Sequence, residues 1–255
     1  MTAGFVLTWS FTPPDMFEDE VRFGSERRSF TVGKGTAEAR VSADAVTDVE
    51  SLRTELHEEL DARFLAAQVL GHRPYTLSKP SLLREHPDGR RDAWIFAEPA
   101  VIKISTGNVD FVVHDAAGNV TRDTRRERID HRKVFADRAA MHIVDPVLNA
   151  VLRSYSAAVA DPRNELVHLY EIREGLATHF GGQRPATHAL GITGTTWSTL
   201  GRIVNEEPLR QGRHRGKQLG ALRDATEAEL KEARSIARDM IEAYLTFLRN
   251  KSEKP

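Results

Sequence analysis

Arg125-Arg-Glu-Arg-Ile-Asp-His-Arg-Lys133 separates two kinds of sequence in this chain. Before it, short β-branched and aromatic runs alternate with glycine and proline. After it, apolar residues recur every third or fourth position and no run reads as a strand. The fold class that follows is α+β: a mixed β-rich part over residues 1–130 containing one long helix, then an all-helical part over 131–255.

Working toward the N-terminus, Val109–His114 and Asn119–Arg122 read as strands joined by a turn at Asp115-Ala-Ala-Gly118. Ala100–Ser105, Ala93–Phe96 and Pro74–Leu77 are further short strands. The long helix spans about 48–70, because Leu52, Leu56, Leu60 and Phe64 repeat every fourth residue and Gly71 ends the run. Thr47 and Glu50 have capping-box spacing at its start. Four short strands precede it: Phe5–Thr12, Glu20–Phe23, Ser29–Val32 and Glu38–Ser42. Toward the C-terminus, Asp145-Pro146 and Asp161-Pro162 each place an N-cap residue before a proline at the first helical position. They predict helices over about 145–160 and 161–180, the second stopped by Gly181-Gly182. A shorter helix covers 195–205. The last begins at Thr226, with Glu229 completing a capping box, and carries one apolar stripe from Leu230 to Leu248.

Composition narrows the function classes. The 255 residues carry 36 Lys and Arg against 37 Asp and Glu, a net charge of -1, so any attraction to nucleic acid must come from a local patch. No cysteine is present, which removes thiol nucleophiles and cysteine-ligated metals. Residues 1–14 lack the basic and apolar segments of a signal peptide, and no apolar run reaches ~20 residues, so a soluble cytoplasmic protein is expected. Gly33-Lys-Gly-Thr36 lacks phosphate-loop spacing, and Gly191-Ile-Thr-Gly194 is not a dinucleotide fingerprint. The ten histidines form no i, i+4 pair, so neither a metal nor a cofactor is expected.

Asp161-Pro-Arg-Asn-Glu-Leu-Val-His168 is the candidate catalytic segment. With Asp161 as cap, Arg163 falls in the first helical turn, where free N–H groups favour a phosphate. Asn164 and His168 are i, i+4, placing the amide to orient the imidazole. Arg163 lies about 140° round the helix from His168, so its side chain must swing back or a second subunit must complete the site. A histidine for proton transfer beside an arginine for phosphoryl charge suits metal-free RNA cleavage. The alternative is a surface ion pair at Arg163 and a half-buried His168 on a helix whose Leu166, Leu169, Ile172, Leu176 and Phe180 form core.

The R-N-x-x-x-H string on a helix, within an all-α region over roughly 133–250, resembles the HEPN superfamily of nucleases and RNA-binding domains. The resemblance implies an antiparallel helical bundle, often a homodimer with facing motifs. In active members the arginine and histidine cleave RNA without metal, the histidine acting on the ribose 2′-OH. By position these roles fall on Arg163 and His168, with Asn164 the polar residue after the arginine. Other members serve only as interaction modules.

Arg210-Gln-Gly-Arg-His-Arg-Gly-Lys217 is the densest basic cluster. Arg210, Arg213, His214, Arg215 and Lys217 form the candidate RNA-binding set, with Gly212 and Gly216 letting backbone approach a ligand. A solvated loop is the alternative. Phe11-Thr-Pro-Pro-Asp-Met-Phe17, Leu169-Tyr-Glu-Ile-Arg173 and Phe180-Gly-Gly182 resemble bacterial proteins, some labelled methylamine-utilisation accessory protein. That resemblance implies a non-enzymatic accessory role as the competing class.

Overall fold

The computed structural model describes residues 4–86, 90–94, 110–114, 119–213, 215–217 and 220–253. The chain is α+β and divides into two compact units. The first comprises Met1–Ala67 with Tyr75–Asp137, the second Gln68–Pro74 with Arg138–Pro255. Each is described by itself.

The first unit is built on an antiparallel sheet. Its strands are β1 (Gly4–Thr12), β2 (Val21–Gly24), β3 (Arg28–Gly33), β4 (Thr36–Ser42), β5 (Thr76–Leu77), β6 (Ser81–Glu85) and β7 (Arg91–Trp94). The order is β2-β3-β4-β1-β6-β7, with β5 pairing β1. Lys34 and Gly35, at φ 52° and 81°, form the two-residue loop between β3 and β4, matching the right-handed strand twist. A separate pair joins β8 (Val112–His114) to β9 (Val120–Asp123). The strand expected at Ala100–Ser105 and the turn at Asp115–Gly118 lie outside the described residues.

Helix α1 (Val49–Gly71) buries the expected stripe: Leu56, Leu60 and Phe64 are fully inaccessible and Leu52 nearly so. They share one core with Leu7, Trp9, Phe11, Phe30 and Val32 of the strands. Full burial of each such side chain contributes about 1.5–3 kcal/mol, and Leu60→Ala would cost about 2–5 kcal/mol with its cavity. The cap corrects the sequence reading. Asp48, not Thr47, accepts from the N–H groups of Glu50 (3.3 Å) and Ser51 (3.0 Å). Hydrogen bonds from Ser51, first its side chain and then its N–H, hold the Asp48 carboxyl below its ordinary value.

The charged run is helical, within α2 (Thr124–Met141). Three of its arginines are bound to carboxylates. Arg128 reaches Glu18 at 2.7 Å and Asp110 at 2.5 Å, Arg132 reaches Glu18 at 2.6 Å, and Arg125 reaches Asp19 at 2.6 Å.

The second unit holds α3 (Pro146–Ala160), α4 (Glu165–Phe180), α5 (Gln183–Leu190), α6 (Gly194–Asn205) and α7 (Glu227–Ser252). Asp145 caps α3 through Val147 (3.0 Å) and Leu148 (2.8 Å), with Pro146 at the first position as expected. Thr226 and Glu229 cap α7 reciprocally. α4 packs against α3, α5, α6 and α7, and Leu166, Leu169, Ile172 and Leu176 are fully buried. Among the described residues of this unit no strand forms, only a bridge between Leu209 and Arg223. No described helix is long and apolar enough to cross a membrane.

One helix start moves. Asp161 does not open α4 but closes α3, its N–H bonded to the Ala157 carbonyl at 2.9 Å. Pro162 cannot continue α3, because it lacks the N–H that the helix requires. The chain turns through Arg163, and α4 begins three residues later than expected, with Asn164 as its cap residue.

Candidate functional site

The site is assembled where α3 ends and α4 begins. The Asp161 carbonyl accepts the Asn164 N–H at 3.0 Å, and its carboxylate accepts the Asn164 side-chain amide at 2.7 Å. Hydrogen bonds from that amide, and then from the Arg163 and Asn164 N–H groups, hold the Asp161 carboxyl below its ordinary value. Arg163 sits in this turn, exposed, and no carboxylate among the described residues pairs with it. It is therefore off the helix, and the 140° separation expected from helical geometry does not apply.

Asn164 does not orient the imidazole. Its side-chain N–H is given to Asp161, and its side-chain oxygen accepts from Arg215. His168 is instead held by carboxylates. Its Nδ1 is 3.2 Å from Glu171 and its Nε2 is 3.9 Å from Asp161, with the side chain 24% exposed. Such a pairing favours proton acceptance at the ring, but it also places negative charge where a phosphate would come.

The basic loop meets this turn. Arg215 donates through Nε to the Gly212 carbonyl at 2.9 Å and through a terminal nitrogen to Asn164. Arg213 reaches Glu174 at 2.5 Å and lies 5.2 Å over the Tyr170 ring. Arg173, on the next turn, lies 4.9 Å from the same ring and donates to its hydroxyl. Arg210 faces Asp224 at 3.5 Å. His214 lies outside the described residues, and the side chain of Lys217 likewise. Gly212 serves the fold rather than a ligand: a Cβ there would come 2.9 Å from the Val204 carbonyl, where the loop crosses the end of α6. Gly216 faces open space.

Glu165, inside the R-N-x-x-x-H string, escaped the sequence reading. It is 2% exposed and accepts from Arg234 twice, at 2.6 and 3.0 Å. His72 Nε2 is 3.5 Å away, and its Nδ1 is 3.3 Å from the Tyr155 hydroxyl. Burial lowers the His72 pKa, with Arg234 adding to the effect and Glu165 opposing it. No local pattern could reveal this group, since Arg234 lies 69 residues from Glu165. Among the described residues no group of three or more His, Asp or Glu could hold a metal ion.

Comparison with family models, with curated proteins and with solved structures finds no match to this chain.

Proposed function

We propose that the helical unit engages RNA at the corner formed by Arg163, Asn164, His168, Arg213 and Arg215. The observation that carries this reading is the bond from Arg215 to Asn164, which joins the basic loop to the turn holding Arg163. Neither Arg163 nor Arg215 is neutralised by a carboxylate among the described residues, so both keep donors for phosphate oxygens. His168 is the group able to take the ribose proton. The 2′-oxygen would then bond to phosphorus, the bond to the 5′-oxygen would break, and a cyclic phosphate would remain. A second copy of the chain, as the HEPN resemblance implies, would bring a second such corner to the same strand.

The deciding experiment is fluorescence anisotropy with labelled single-stranded RNA over a salt series. Saturable binding whose logarithm falls linearly with log salt supports the proposal. No binding at low salt would leave the accessory reading, in which this unit contacts a protein. The carboxylates beside His168 favour that second reading, or RNA contact without cleavage.

A further inference from the structure

The first unit contains a cavity of about 140 Å³, lined mainly by apolar side chains that include Met16, Phe17, Phe23, Leu60, Ile129 and Ala136. An apolar cavity of roughly this volume accepts a benzene-sized ligand, whereas drug-sized sites are several times larger. Its occupant is therefore a molecule of about six to eight carbons.

The charges on its wall narrow the chemistry. Every lysine and arginine there already has a carboxylate. Arg22 pairs with Glu20 at 2.7 Å, Arg132 with Glu18 at 2.6 Å, Lys133 with Asp137 at 2.7 Å and Arg63 with Asp137 at 2.5 Å. The acids lining it are likewise matched, Glu18 also by Arg128 and Asp19 by Arg125. An anionic ligand would lose its hydration and gain no free cation. One donor is left over. Arg63 is 8% exposed, its guanidinium lies 3.6 Å over the Phe23 ring, and its buried Nε–H has no hydrogen-bond partner among the described residues. A buried donor left unpaired is costly, and a single acceptor would relieve it.

We propose that this cavity binds a small uncharged molecule with an apolar ring or branched body and one carbonyl acceptor, a ketone, ester or amide, which takes the Arg63 Nε–H. This site is independent of the RNA reading and lies in the other unit.

Saturation-transfer NMR titrations with acetophenone, ethylbenzene and benzoate test it on the full chain. Acetophenone and ethylbenzene are expected to bind saturably and benzoate to remain unbound. Arg63→Lys keeps a cation for Asp137 but removes the Nε–H. It should weaken acetophenone about fivefold to tenfold and leave ethylbenzene within twofold. Ala136→Leu, which fills the space, should abolish binding of both. The proposal is overturned if neither neutral compound binds the wild-type chain, if benzoate binds as well as acetophenone, or if Arg63→Lys affects the two neutral ligands equally.

Discussion

Arg215 donates to the side-chain oxygen of Asn164, 51 residues earlier in the chain. The bond fixes the loop after α6 against the turn before α4. It also removes Asn164 from any role in orienting His168, since the amide's other end is held by Asp161. Two basic segments that are separate in sequence thus share one corner of the helical unit.

Arg163→Ala and Arg215→Ala should each weaken RNA binding about tenfold at moderate salt, the scale of a lost charge-assisted hydrogen bond. Each should also reduce the slope of log affinity against log salt by about one. Arg213→Ala should matter less, because Arg213 is already engaged by Glu174. Unchanged slopes for the first two variants would remove this corner as the contact surface.

If the corner cleaves RNA, His168→Ala should lower the rate by about 10²-fold or more while EDTA leaves the wild-type rate unchanged. The products should carry cyclic phosphate ends. With the side chain 24% exposed, its removal should shift the melting temperature little. Equal cleavage by the variant and the wild type would show that the activity comes from elsewhere.

Arg234→Met leaves the Glu165 carboxylate, 2% exposed, without its two hydrogen bonds. A buried charge stripped of its partner costs about 3–5 kcal/mol. Adding Glu165→Leu should recover most of that loss, because the pair replaced together removes the stranded charge. Urea denaturation midpoints of the single and double variants measure both effects. A double variant as unstable as the single would mean that the helical unit needs the charges themselves.

Acid stability should report on Glu229. Hydrogen bonds from Arg223, then the N–H and hydroxyl of Thr226, hold its carboxyl down to about 2, below its ordinary 4.5. A depressed folded-state pKa means that the unfolded chain binds the proton first. The contribution is therefore fully present above pH 4.5 and is lost as pH falls toward 2. Arg223→Ala should flatten the stability profile in that window and leave its shape near neutrality unchanged. An unchanged acid limb would place the acid sensitivity in other carboxylates.

The legible parts of the fold were those with a local signature. The α1 stripe of Leu52, Leu56, Leu60 and Phe64, the Asp145-Pro146 start and the Thr226–Glu229 box all carry their signals within a few turns. β6 was missed because its strand character comes from pairing with β1, in which Leu82 lies opposite Leu7. α5 was missed because only Ala186 and Leu190 of its eight residues are buried, too few to show a period. Within the candidate site the residue types were legible, but their partners were not. Asp161 has the same sequence appearance as Asp145, yet one closes a helix and the other opens one.

The sequence by itself determined the α+β class, the long amphipathic helices and the concentration of arginine at 210–217, because helical period and charge are properties of neighbouring residues. The tertiary structure decided where Asp161 ends a helix, that Arg215 meets Asn164, that Glu165 is buried against Arg234, and that Arg63 lines a cavity with one donor unpaired. Each of these joins groups brought together by packing or chain reversal. Such contacts form only when the surrounding core compensates for the ordering of the intervening chain, so no short window of sequence encodes them.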